Sequence, residues 1–274
     1  MDISYKYLLI LSDCKHLLNN YKDALNILSL IETRDYNIYN KNYEVELHKA
    51  HYYKHLWCCN EALDILRNIK DVSYSAVVDS LGILAAKYFV NDLHVDFTEK
   101  SSIEIYKNYY ICAENSSLPR TQADIYKLMR HKPIYEYYAD SDSDLNELIS
   151  HINKIIDIYN AENNHLLANA YFIQGEIYRL YKKYDNMIVS YKRCLGITHD
   201  NNIIIQVNLM VYYLKVIKKL DVDFNIISNE NIIRLCECNN YADKIYHRIK
   251  CIELNDPNAT TIADCFDSRI MPIL

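Results

Sequence analysis

Apolar residues recur along this chain at the spacing of amphipathic helices. Near residue 24 it reads "NNYKDALNILSLI", near 62 "WCCNEALDILRNI", and near 187 "KKYDNMIVSYKRCL". The three stretches align without gaps. Ala24, Ala62 and Met187 fall together, as do Leu28, Leu66 and Tyr191, and then Ile31, Ile69 and Cys194. Anchors at i, i+4 and i+7 put one apolar stripe on each helix. Upstream of each lies a second helical stretch of about 15 residues. The repeated unit is therefore a helix–turn–helix hairpin.

The most regular copy is "YFIQGEIYRLYKKYDNMIVSYKRCL", 171–195. Its Tyr171, Gly175, Tyr178 and Tyr191 resemble the tetratricopeptide repeat, with Tyr171 in place of the usual Trp and Tyr191 in place of Phe. Gln174, Met187 and His199 depart from that pattern. A small residue at 175 lets the two helices approach, and the aromatics fill the gap between hairpins. In 46–69, Ala50, Tyr53 and Ala62 hold matching places, and in 8–31 Ser12 and Ala24 hold the two small ones, while Lys15 departs. A fourth copy is half present at Leu81 and Gly82, with its second helix expected over 98–115.

The resemblance implies an all-α, right-handed superhelix of about six antiparallel helical hairpins, an α-solenoid. The array is expected over 1–254, with 255–274 as a C-terminal capping tail, since an array must cover its last apolar face. The middle is less regular. "SSLPR", 116–120, breaks helix before Pro119. Asp144 and Glu147 stand in capping-box relation after "DSDSD"; capping explains that run better than phosphorylation of Ser141 or Ser143. Helices are expected at 144–162, 165–182, 185–196, 202–220, 226–237 and 240–254.

Composition narrows the picture. With only 3 Gly and 4 Pro in 274 residues, short connections and helices fit better than a turn-rich sheet fold. The excess of Tyr, 27 against 5 Phe, fits AT-rich coding, although Tyr also anchors cores and grips partners. A net charge of −6 disfavours a general nucleic-acid binder. The 9 Cys are odd in number and irregular in spacing, and the start of the chain lacks the form of a signal peptide. Reduced cysteines and a cytoplasmic location are expected. No apolar run approaches a membrane span.

In tetratricopeptide arrays the first helix of each hairpin lines a concave groove. Carried over by register, this offers Lys6, Leu9, Asp13, His16 and Leu17 from the first hairpin. The second offers Glu44, Leu47, His51, Lys54 and His55, with His48 beside them. The copy at 171–195 offers Asn169, Phe172, Glu176, Arg179 and Leu180. Three readings are open for the histidine face: a groove for an acidic or carboxylate-bearing peptide, a solvated or partly packed helix face, or a zinc site on His51 with His55 or with His48. Against zinc, the face lacks an H-E-x-x-H arrangement, and the turn should carry Cys58 and Cys59 away. No metal ligand is assigned, and no cofactor is expected. Cys236 and Cys238 on a helix point to different sides and read as buried apolar residues.

A basic cluster (Arg179, Lys182, Lys183, Lys192, Arg193, Lys215, Lys218, Lys219) reads as a solvated face or as a strip for an acidic partner or an RNA backbone. Catalytic signatures such as G-x-S-x-G or a P-loop are missing from the sequence. A single Arg193–His199 string matches the spacing of helical ribonucleases of the HEPN class. The expected function is non-catalytic binding of a protein or peptide in the concave groove, as a scaffold or adaptor, with homo-oligomers permitted. The alternatives are a peptide-responsive regulator, whose effector is expected on another subunit because repeats begin at once, and such a ribonuclease.

Overall fold

The computed structural model describes residues 3–18, 20–34, 43–56, 58–69, 73–90, 99–139, 144–162, 164–216, 218–221, 246–247, 249–251, 253–254 and 271. Among them every regular element is helical. The helices are α1 (Ile3–Leu17), α2 (Tyr21–Arg34), α3 (Tyr43–His55), α4 (Cys59–Ile69), α5 (Tyr74–Val90), α6 (Glu99–Asn115), α7 (Gln122–Ala139), α8 (Leu145–Ala161), α9 (Leu167–Leu180), α10 (Tyr184–Ile197) and α11 (Asn201–Val216). Residues 246, 247, 249–251 and 253 are also helical. The expected helix at 226–237, Cys236, Cys238, Ser141, Ser143 and nearly all of the tail lie outside the described residues.

Consecutive helices pack as hairpins: α1 on α2, α3 on α4, α5 on α6, α7 on α8 and α9 on α10. First helices also touch the first helix of the next hairpin, α3 on α5, α5 on α7, α7 on α9 and α9 on α11. This is the neighbour-to-neighbour packing of a helical solenoid. The three stretches aligned by sequence show why it forms. Ala24, Ala62, Met187, Leu28, Leu66, Tyr191, Ile31, Ile69 and Cys194 are all buried. Each helix thus spends its apolar stripe on the hairpin interface, and burying one such large side chain stabilises by about 1.5–3 kcal/mol.

The turns repeat as closely as the stripes. Residues 18–20, 56–58 and 181–183 separate the helices of the three matching hairpins. In each, the last turn residue donates its N–H back to the carbonyl five residues earlier: Asn20 to Lys15, Cys58 to Tyr53 and Lys183 to Tyr178, at 2.9, 2.9 and 2.8 Å. In the third turn Lys182 is left-handed at φ 58°, and its N–H bonds the Arg179 carbonyl. That pair of bonds satisfies the last carbonyls of α9. The same turn residues then accept the first N–H of the aligned anchors, Ala24, Ala62 and Met187.

The small position of each first helix is buried too, as Ser12, Ala50 and Gly175. A Cβ placed on Gly175 would lie 2.5 Å from Tyr191 Cε1 and 2.6 Å from Cδ1. Tyr159 and Tyr106 close the middle hairpins, fully buried. At α8 the Asp144 carboxylate caps the helix by accepting the Asn146 N–H, as the capping pattern predicts. α11 differs from the rest: Ile203, Ile205 and Gln206 through Leu214 are buried, the polar Gln206 and Asn208 included. A helix buried on nearly every side is a core helix rather than a wall. Asn202, at its start, hydrogen-bonds Tyr21 of α2 and His55 of α3.

Replacing Gly175 by Ala should destabilise the protein by about 1–3 kcal/mol, because Tyr191 is held at both ring and hydroxyl and cannot retreat. A lower urea midpoint at unchanged slope checks this; an unchanged midpoint would mean that α9 and α10 shift apart freely.

Candidate functional site

The residues expected along one groove wall fall into two clusters. The first joins the last turn of α1 to α3. His16, His51 and His55 each bring one ring nitrogen within 4.8 Å of the other two. His51 and His55, one helical turn apart, place their Nε2 atoms 3.2 Å from each other. The His16 ring centroid lies 4.9 Å from that of His51 and 4.8 Å from that of His55. His16 stacks on Tyr52 and His55 on Tyr21. The Asn202 amide sits 2.7 Å from His55 Nδ1.

His48, one of the residues paired with His51 in the sequence reading, leaves this cluster. Its Nε2 is 3.3 Å from Asp13 Oδ1, and Asp13 also accepts from the Tyr52 hydroxyl at 2.9 Å. Lys6 is exposed. Lys54 is buried, and burial brings its ammonium down to about 8, partly opposed by the Asp79 carboxylate. Burial likewise pushes His16 down to about 4 and holds His51 and His55 well below the usual imidazole range, with Lys54 adding repulsion. The three rings are therefore neutral at neutral pH, so they offer lone pairs and N–H groups rather than positive charge.

The second cluster lies on α9. Asn169, Phe172, Glu176 and Arg179 are all buried, where the register placed them on an open groove. Phe172 stacks on Tyr191, 5.8 Å between centroids. The Glu176 carboxylate accepts from Arg179 Nε at 3.0 Å and Nη2 at 2.7 Å, and from the Tyr191 hydroxyl. It also accepts the backbone N–H of Met271 at 2.7 Å. Met271 itself is buried. Four donors thus converge on one buried carboxylate, and one of them is a backbone group from the end of the chain. Met271 and the tyrosine of α10 close part of this cluster, both reaching Glu176, with Tyr191 also stacked on Phe172.

Part of the basic cluster does assemble. Lys182, Lys183 and Lys192 line a cleft of about 560 Å³ with Tyr184, Asp185, Asn186, Ile188, Leu220 and Asp221. Arg193 and His199, the ribonuclease-like string, are both exposed, and the Arg193 guanidinium lies 5.8 Å from the Tyr171 ring centroid. Sequence reasoning missed Tyr21, Tyr52, Asn202 and Met271. Asn202 is 147 residues from His55 and Met271 is 95 from Glu176, so no local pattern announces either.

Comparison with protein-family models, with curated proteins and with solved structures found no match to this chain.

Two outcomes follow from the buried charges. Glu176→Ala strands the Arg179 guanidinium inside the fold and should cost about 3–5 kcal/mol in a chemical denaturation experiment. The depressed histidines set the acid limb. His16, His51, His55 and the buried His131 stay neutral when folded but protonate near 6.5 when unfolded. Below that value the unfolded chain binds more protons, so stability is full above about 6.5 and falls as pH drops towards 4. Thermal midpoints measured across this range should decline steadily; a flat profile would place the imidazoles in water.

Proposed function

We propose that this protein is a non-catalytic helical-repeat array that binds peptide segments of proteins, its α9 wall recognising extended backbone. The observation that carries this reading is the bond from the Met271 N–H to Glu176. A buried carboxylate, fixed by Arg179 and Tyr191, already holds the backbone N–H of a residue 95 positions away in sequence. Rigid helices that present such a group lose little ordering entropy when a segment docks. We assign the array to the tetratricopeptide type, a right-handed superhelix of about six hairpins working in the cytoplasm, on the shared stripe, small position and turn of its three matching hairpins.

A second reading of the same bond is regulatory. A segment held in cis is a competitor for any segment arriving in trans, so a peptide that displaces the tail would report its own presence. The lysine-bearing cleft beside the α9–α10 turn supports an acidic partner at a separate surface.

The test uses the full chain and a fluorescent peptide with the sequence of residues 264–274. Met271→Pro removes the N–H donor and weakens the tail's hold, so the variant should bind the free peptide about tenfold tighter than the wild type, which its own tail occupies. Absence of peptide binding by both proteins in fluorescence polarisation would reject the wall as a peptide site.

A further inference from the structure

We propose that His16, His51 and His55 form a zinc(II) site that fastens the first hairpin to the second. The geometry is close to what the ion requires. Two imidazole nitrogens bound at about 2.0–2.1 Å to one tetrahedral zinc lie about 3.3 Å apart. The Nε2 atoms of His51 and His55 are 3.2 Å apart. One nitrogen of each of the three rings lies within 4.8 Å of the others, and a movement of His16 towards the other two closes the set. His16 Nε2 is itself buried and meets no hydrogen-bond partner among the described residues.

The surroundings fit a ligand set. Tyr52 and Tyr21 stack on His16 and His55 and limit how the rings can turn. The Asn202 amide reaches His55 Nδ1 at 2.7 Å. The Asn202 Nδ2 faces Nδ1 in the structure; turning that amide over puts its oxygen against the ring, so that Nδ1 carries the proton and Nε2 offers its lone pair. His51 and His55 share one bridging proton in the metal-free protein. On zinc binding both Nε2 atoms coordinate, and that proton moves to Nδ1 of the ring that donated it, so no net proton leaves these two rings. Three neutral nitrogens leave the ion a fourth position for water or another oxygen, nitrogen or sulfur donor. The site draws on α1 and α3 directly and on α11 through Asn202, so zinc links elements that sequence separates.

The experiment is calorimetric titration of zinc chloride into the chelator-treated full chain, beside thermal melts with and without zinc. One zinc per chain is expected, with a raised melting midpoint, because the folded state binds the ion and the unfolded chain does not hold this site. His16→Gln, His51→Gln and His55→Gln, each checked for helicity by circular dichroism, should each weaken zinc at least tenfold. His48→Gln, whose ring is bound to Asp13, should leave it unchanged. Asn202→Ala, which removes the amide from His55 and from the Tyr21 hydroxyl, should weaken it about tenfold. Cobalt(II) in the wild type guards against variants that fail to fold: four-coordinate d–d bands without a thiolate charge-transfer band are expected. No zinc binding, binding insensitive to the histidine variants, or a thiolate band from the cysteines would overturn the proposal.

Discussion

A hairpin of two helices cannot bury its own outer face, and everything else in this structure answers that constraint. Each second helix closes against its partner through a stripe such as Ala24, Leu28 and Ile31, or Ala62, Leu66 and Ile69. Each first helix must then find cover in the next hairpin. The chain meets this need with contacts between successive first helices, from α3 through α11. Close approach depends on small residues at the crossing. Gly175 sits so near Tyr191 that even a methyl group meets the ring. Where the small residue is Ser12, its hydroxyl bonds its own helix at the Leu9 carbonyl and also meets Tyr52, so the polar atom costs little.

Burying whole helix faces, as α9 and α11 do, has a price in polar chemistry. Any side chain pointing inward must find a partner there, since an unpaired buried polar group is costly. Glu176 solves this with Arg179, Tyr191 and Met271, and Asn202 with Tyr21 and His55. The histidines solve it by remaining neutral. A wall built this way is polar but not charged in the sense that an open basic groove would be.

Much of the fold was legible in the sequence because its signals are local. The stripes, the Asp144 cap and the helix expected over 98–115 depend on residues within a few turns of each other, and α6 spans Glu99–Asn115. Register also grouped His16, His51 and His55, and the structure brings one ring nitrogen of each within 4.8 Å of the other two. What register could not reveal is what lies opposite. The burial of Phe172, Glu176 and Arg179 is created by Tyr191 and by a residue of the tail, and the orientation of His55 by a residue of α11. Likewise the exit of His48 from the cluster is decided by Asp13, a residue on another helix.

The bond from Asn202 to His55 also bears on the order in which the molecule is made. A ribosome delivers the first two hairpins long before residue 202, with His55 and Asn202 separated by 147 residues. A pure solenoid can set each hairpin as it emerges, because each leans only on its neighbour. Here His55 of the second hairpin waits for a partner, Asn202, that is not yet synthesised, while the rest of α11 packs on α9 and α10. That bond adds one late, long-range step to a chain of otherwise local decisions.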